Sequence, residues 1–285
     1  MTAAAFDYHA PGSIDEAVGL LADHGTSARL LAGGQSLVPA MLARHARPAH
    51  VIDINRIARA ERPTVLGGRV RIPPLMRHID FDPVAVRGPL GELLAELSGH
   101  ISHLPVRLRG TFCGALANAD PASEWGLAAV VLDAELVARS AKRGARVLAA
   151  TEFFEAMSAT VLADDEMLVE VQLPLLPSGT RHGFCEVCPR AGHYAVAMAL
   201  VVLDRDMDEV GDVRIGVGAV EPVPRRLPDA EALLSGRAPS RKLLREVADA
   251  AADLVDPHGD AFADAAWRRD LTRTVALRAL ERSLR

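Results

Sequence analysis

Three stretches of the chain hold residue types that can do chemistry. The first is Arg29-Leu30-Leu31-Ala32-Gly33-Gly34-Gln35-Ser36-Leu37-Val38-Pro39, an apolar run broken by two glycines and followed by a hydroxyl. Lacking Cβ atoms, a Gly-Gly pair turns sharply and lets a ligand approach the backbone closely. A strand that stops there points several free N–H groups at one place, which suits a phosphate or pyrophosphate, although a plain turn has the same local signature. The second is Val106 to Pro121, where Arg107, Arg109, Thr111, Asn118 and Asp120 are spaced by glycines and other small residues. Such a segment can wrap closely around a polar ligand. The third is Cys185-Glu186-Val187-Cys188, which is either a redox pair, half of a zinc site or a coincidence of spacing. Only Cys113 remains as a further thiol, so a tetrahedral site would have to recruit His182 or His193. Coincidence is the simplest of the three readings.

Two other patterns fall short of a site. Gly216-Val217-Gly218 follows a strand-like run, yet Glu221 stands where a dinucleotide fingerprint needs its third glycine, and Pro222 follows at once. His100-Ile101-Ser102-His103 carries two imidazoles without the glutamate of a zinc-protease motif, and reads as solvated or capping histidines. No Gly-x-Ser-x-Gly elbow and no phosphate-loop lysine occur, and no metal-ligand set is read from the sequence.

The elements that must position these stretches follow from periodicity and from breakers. Ser13 caps a helix whose apolar residues Ile14, Ala17, Val18 and Leu21 recur at helical spacing, with Glu16 three positions on. Leu30 to Ala32 reads as a strand entering the Gly-Gly turn, Leu37 to Ala43 as a short helix, and His50 to Asn55 as a buried strand. Together they make a small α/β unit. A hairpin is expected over Val65 to Ile72, turning at Gly67-Gly68 and ended by Pro73-Pro74, with a helix over Gly91 to His100. Strands are expected at Glu135 to Arg139, Arg146 to Leu148 and Met167 to Leu173, the last preceded by a turn at Asp164-Asp165-Glu166. Pro174 to Gly179 reads as a linker. Beyond it, strands at Tyr194 to Leu203 and Val213 to Val220 precede helices at Arg241 to Val255 and Ala261 to Leu284, an α+β arrangement.

A chain of 285 residues, 49% of them hydrophobic, can bury cores in two or three substructures without covalent staples. Three cysteines are too few for a secreted disulfide framework, which points to a reducing cytoplasm, and Met1 to Asp7 does not read as a signal peptide. The longest apolar run, Ala195 to Leu203, is less than half of a membrane span. With a net charge of −5 and dispersed arginines, no nucleic-acid partner is expected.

The run Leu31 to Pro39, then Val51-Ile52-Asp53-Ile54-Asn55-Arg56-Ile57, then Arg107 to Asp120 resembles the FAD-binding medium subunit of molybdenum hydroxylases. The likeness is to the aerobic carbon monoxide dehydrogenase type, with the xanthine dehydrogenase flavin domain a more distant relative. It continues through Thr160 to Glu166, Arg190 to Ala195 and Gly218 to Arg225, covering nearly the whole chain in order. The resemblance implies a two-lobed FAD-binding domain of the PCMH type, with lobes at 1–60 and 61–176, and a C-terminal α+β domain at 177–285 of a small antiparallel sheet plus helices. It implies FAD as cofactor. The backbone of Ala32, Gly33, Gly34, Gln35, Ser36 and Leu37 would hold its pyrophosphate, with Thr111, Gly114 and Ala117 lining the other side. Asp120 would reach a ribose hydroxyl, Leu162 the flavin ring, and Tyr194, the one residue assigned to the reacting centre, would shield a face of that ring.

The sequence also departs from the family pattern. Leu108 replaces an amide and Cys113 a glycine, and a Cβ at Cys113 would restrict positive φ and close approach to the cofactor. Pro73-Pro74 stands where Gly-Ala is usual, Asn118 where His is common, and His193 where an acid often lies. Nothing here ligates molybdenum, and three cysteines cannot supply the four ligands of an iron–sulfur cluster. The implied role is therefore electron relay within a complex: a molybdopterin-containing large subunit and a 2Fe–2S small subunit as partners, and an external electron acceptor. The alternatives are a stand-alone FAD-dependent oxidoreductase with its own small substrate, and a subunit that has lost the cofactor.

Overall fold

The computed structural model describes residues 2–57, 62–82, 84–206 and 208–285, and the expected lobe boundary at 60/61 lies outside the described residues. Strands β1 (Asp7–His9), β2 (Ala28–Leu31) and β3 (His50–Asp53) form a parallel sheet in the order β1-β3-β2. Helix α1 (Ile14–His24) crosses from β1 to β2 and starts where expected, because the Ser13 hydroxyl accepts from the Glu16 amide. Its buried Ala17, Val18 and Leu21 pack with Ala28, Ile52 and Ile54 into the core of this lobe. After β2 the chain turns at Gly33-Gly34 into the short helix α2 (Leu37–Leu42).

The second sheet is antiparallel, β4-β5-β10-β6-β7: β4 (Thr64–Leu66), β5 (Arg69–Ile72), β6 (Glu135–Ser140), β7 (Gly144–Ala149) and β10 (Glu166–Pro174). A small hairpin of β8 (Phe154–Ala156) and β9 (Ala159–Thr160) precedes β10. The expected hairpin is present as β4–β5, with Gly67 and Gly68 at φ +61° and +75°. Between β5 and β6 lie α3 (Pro89–His100), α4 (Leu104–Arg107), α5 (Phe112–Asn118) and α6 (Glu124–Val131). Every residue of α6 from Trp125 to Val131 is buried. Trp125, Phe81 and Phe112 meet at ring-centroid distances of 4.8 to 5.6 Å at the centre of this core.

The third sheet, β11-β12-β13-β14, is also antiparallel: β11 (Arg181–Val187), β12 (Ala197–Asp206), β13 (Glu209–Gly218) and β14 (Arg225–Arg226). Helices α7 (Pro228–Leu234), α8 (Arg241–Leu254) and α9 (Ala265–Ser283) cover one face. The other face, through Phe184, Met198, Leu200 and Val202, joins the core of the second lobe. The close fit explains Gly216 and Gly218. A Cβ on Gly216 would sit 3.0 Å from Leu127 and closer still to Val131, and one on Gly218 would strike Met198. These two glycines serve packing. Tyr194 to Val196, expected as the start of a strand, lie instead in the loop before β12, and Tyr194 is 69% exposed. Among the described residues no helix is long and apolar enough to cross a membrane.

Candidate functional site

The Gly33-Gly34 turn ends β2, and the loop before α5 fits directly against it. A Cβ on Gly33 would lie 2.6 Å from Gly110 Cα and closer to the Arg109 carbonyl oxygen, so only glycine lets these two backbones meet. On α5, Gly114 approaches the same turn, its virtual Cβ 3.9 Å from the Ala32 Cβ. Side by side are therefore brought the two stretches singled out by their glycines, some 75 positions apart. Gly34 takes φ +73°. Among the described residues the amides of Gly33, Gly34, Gln35, Ser36 and Leu37 donate to no protein acceptor, and the Gln35 side chain bonds back to the Gly33 carbonyl at 3.0 Å. Open amide donors beside a closely approached backbone can serve an anion.

Three residues outside the expected cofactor contacts hold the turn. Asn55, just past β3, donates its amide to the Ala32 carbonyl at 2.8 Å and to Asp53 Oδ1 at 2.6 Å, and accepts from Arg77 at 2.5 Å. Arg77 also donates to the Arg109 carbonyl, so one guanidinium bridges the two lobes. Asp53 accepts from the Tyr8 hydroxyl at 2.6 Å. Burial works to raise the Asp53 pKa, but the Tyr8 and Asn55 hydrogen bonds outweigh it and hold the carboxyl below its ordinary value. Behind the loop lies buried His78, whose ring leaves 2.6 Å for a Cβ on Gly110. Its Nδ1 accepts from the Trp125 indole at 2.9 Å, and burial lowers its pKa to about 4, with Arg77 and Arg107 adding to the shift. The imidazole is thus neutral and serves as packing and acceptor.

Thr111 caps α5, its hydroxyl accepting from the Gly114 amide at 3.1 Å, and a Cβ on Gly114 would lie 2.5 Å from that oxygen. Gly114 and exposed Ala117 share one face of the helix, three positions apart. Cys113 faces the opposite way: it is buried, free of positive φ, and its Sγ points at the Pro73 carbonyl 3.9 Å off. The expected intrusion of a Cβ at Cys113 is therefore not what the structure shows, and two departures from the family pattern, Cys113 and Pro73, touch each other in the core. Leu108 is 52% exposed and displaces nothing buried. Arg107 spends its guanidinium on the carbonyls of Ile101 and Ser102, both at 3.0 Å, and holds the turn before α4 instead of facing the cleft.

The far end of α5 closes with Ala119 in the left-handed conformation, φ +49°, which delivers Asp120. Asp120 accepts from the Ala122 amide at 2.9 Å, and burial raises its pKa. The amide of Ser158, in the β8–β9 turn, bonds to the Ala119 carbonyl and anchors the hairpin that leads to Leu162. Leu162 is fixed on both sides, with Arg146 donating to the Val161 carbonyl at 2.7 Å and Glu166 accepting from the Ala163 amide at 2.8 Å. Arg146 and buried Glu166 form a two-pronged pair at 2.8 and 2.7 Å. Tyr194 lies on a loop that closes over His103, where a Cβ on Gly192 would lie 2.5 Å from the imidazole. Partial burial raises the Tyr194 pKa, and the charges of Asp120 and Glu124 add to it. Glu124 itself, at the start of α6, is pushed by burial to about 8.

The Cys-x-x-Cys is not a pair. Cys185 packs among the C-terminal helices, whereas Cys188 packs against the core of the second lobe, since residues three apart at a strand end face opposite ways. Burial raises both thiol pKa values, Cys188 to about 12 with help from Glu186. His100, expected to be solvated or capping, bonds instead to Glu186 at 3.0 Å and stacks edge-on against Phe184.

A closely apposed glycine turn, open amides on one side and a glycine-faced helix on the other define a nucleotide-cofactor cleft between two α/β lobes. The chain belongs to the family of FAD-binding medium subunits of molybdenum hydroxylase-type oxidoreductases: residues 4–176 match the FAD binding domain in molybdopterin dehydrogenase and residues 184–283 the CO dehydrogenase flavoprotein C-terminal domain. It is 34% identical to the nicotine 6-hydroxylase medium subunit of Paenarthrobacter nicotinovorans, over 97% of this chain and 96% of that one. It is 32% identical to the caffeine dehydrogenase subunit beta of a Pseudomonas strain, over 99% and 96%. A chain of the carbon monoxide dehydrogenase structure from Hydrogenophaga pseudoflava superposes with a TM-score of 0.95 at 34% identity, covering 100% of this chain and 99% of that one.

Proposed function

We propose that this chain is the electron-relay subunit of a molybdenum hydroxylase complex in the cytoplasm, taking electrons from the iron–sulfur centres of a small partner subunit and delivering them to an external acceptor. Substrate oxidation then belongs to a molybdopterin-containing large subunit. The observation that carries this is the apposition of Gly33 to Arg109–Gly110 beneath five open amides, in a chain that matches medium subunits end to end. Bound FAD supplies the redox chemistry, and the protein supplies position, shielding and electrostatics.

In this reading the amides from Gly33 to Leu37 neutralise the pyrophosphate, and Ala32 is held in place for it by Asn55. Thr111, Gly114 and Ala117 present a face without bulky side chains, so the cofactor can lie against α5. Asp120 accepts from a ribose hydroxyl. Leu162, gripped by Arg146 and Glu166, presses on the ring system, and Tyr194 covers one of its faces and excludes water. We infer also that 1–60, 61–176 and 177–285 are the chain's substructures, with cleavage by a protease expected first near 174–179. Purifying the chain from its native host tests the main proposal. A flavin spectrum with iron–sulfur and molybdenum subunits attached is expected; flavin without partners, bleached by a small substrate of its own, would overturn it.

A further inference from the structure

We infer that His9, His24 and His50 form a binding site for one divalent transition-metal ion of the zinc class, on the N-terminal lobe and apart from the flavin cleft. His9 ends β1, His24 lies in the last turn of α1, and His50 begins β3. Asn55 and the Gly33 turn lie beyond the other end of β3, since Ala28 pairs with His50 at one end of the β2–β3 ladder and Leu31 with Asp53 at the other.

One ring nitrogen from each histidine lies within 4.8 Å of the others, and all three side chains are half-buried. His9 Nε2 and His50 Nδ1 are 3.1 Å apart, and the His24 ring stacks on His50 at 3.7 Å between centroids and 15° between planes. Nitrogens bound to one tetrahedral zinc at about 2.0–2.1 Å sit about 3.3–3.4 Å from each other. The first pair, at 3.1 Å, is close to that spacing, and a nitrogen at the 4.8 Å limit reaches it by a closure of about 1.5 Å. The His24 ring, near-parallel to His50, turns about its side-chain torsions to do so, because an imidazole lone pair lies in the ring plane. Three neutral imidazoles suit zinc, cobalt, nickel or copper, not calcium or magnesium, which take oxygen ligands. Asp7 Oδ2 lies 3.7 Å from the same His50 Nδ1, so a carboxylate faces the ligating nitrogens themselves and adds negative charge beside an ion held there. A shallow groove lined by His9, Glu16 and Asp23 opens alongside and gives an ion a way in. Three ligands leave a fourth position for water. Joining β1, α1 and β3, the metal would fasten the first strand of the chain to the lobe whose far edge carries the Gly33 turn.

The test uses the untagged, flavin-loaded full chain, stripped with a chelator and titrated with Zn²⁺ by calorimetry and with Co²⁺ by visible absorption. One equivalent is expected, with the visible bands of low-coordinate cobalt. His24→Ala and His9→Gln should each weaken binding by more than about a hundredfold, since altering even an outer partner of a ligand costs about 10–100-fold. His45→Ala, at an exposed histidine outside the cluster, should bind as the parent does. Flavin content and the metal-free Tm show that each variant is folded, and the two ligand variants stand in for each other if one is not. Absence of stoichiometric uptake by the folded parent, or undiminished uptake by a folded ligand variant, overturns the inference.

Discussion

Replacing Gly33 by alanine puts a carbon where the second lobe's backbone already is. The new Cβ would lie 2.6 Å from Gly110 Cα and 2.9 Å from the Arg109 carbonyl carbon, against about 3.5–4.0 Å for a comfortable carbon contact. Neither neighbour is the yielding end of a side chain, so the turn must lift from the loop before α5 or the loop must move. Overpacking of this kind costs about 1–3 kcal/mol. If FAD is held between these two backbones, much of that cost falls on flavin affinity. At about 1.4 kcal/mol per tenfold, Kd for FAD should rise roughly 5- to 150-fold. The assay is titration of the deflavinated chain with FAD, followed by fluorescence, with Tm recorded in parallel. Gly67→Ala is the control: Gly67 has φ +61° but nothing within 4 Å of a Cβ, so it should lower stability by about 1 kcal/mol and leave FAD affinity alone. A Gly33→Ala chain that binds FAD as tightly as its parent would refute the idea that this close approach builds the site.

Asn55→Ala removes the donor to the Ala32 carbonyl and one acceptor of Arg77, and a partly buried carbonyl that loses its donor costs about 1–3 kcal/mol; lower Tm and weaker FAD binding should appear together. Glu124 has a folded pKa of about 8 against 4.5 unfolded, so the folded chain holds its proton more tightly; stability should fall as pH rises from about 4.5 to 8, and Glu124→Gln should flatten that fall in denaturation curves taken across the range. Glu166→Gln strips the charge that pairs with Arg146 and weakens the grip on Ala163, so flavin fluorescence should report a looser ring environment along with a reduced Tm. Cys113, Cys185 and Cys188 have buried or half-buried thiols with raised pKa values, and a thiol reagent should label them slowly until denaturant is added.

What the sequence determined by itself is whatever depends on neighbours along the chain. The Ser13 cap, the stripe of Ala17, Val18 and Leu21, and the Gly67-Gly68 hairpin are set within a few residues, and all were legible. The resemblance added the family and its cofactor, because motifs in order across nearly the whole chain are a property of sequence. Helices α5 and α6 leave no local signal, for a physical reason. The former is rich in Gly and Ala, and the latter is buried on all sides and so has no amphipathic period; both depend on the Thr111 and Ser123 caps and on tertiary packing. The loop carrying Tyr194 likewise has the local pattern of a strand, because its neighbours are apolar. Only the tertiary structure decided that Gly33 meets Gly110, that Arg77 bridges two lobes, that Cys113 faces the core, and that three histidines at positions 9, 24 and 50 converge. Each of these depends on where distant segments cross, and local propensity contains no record of that.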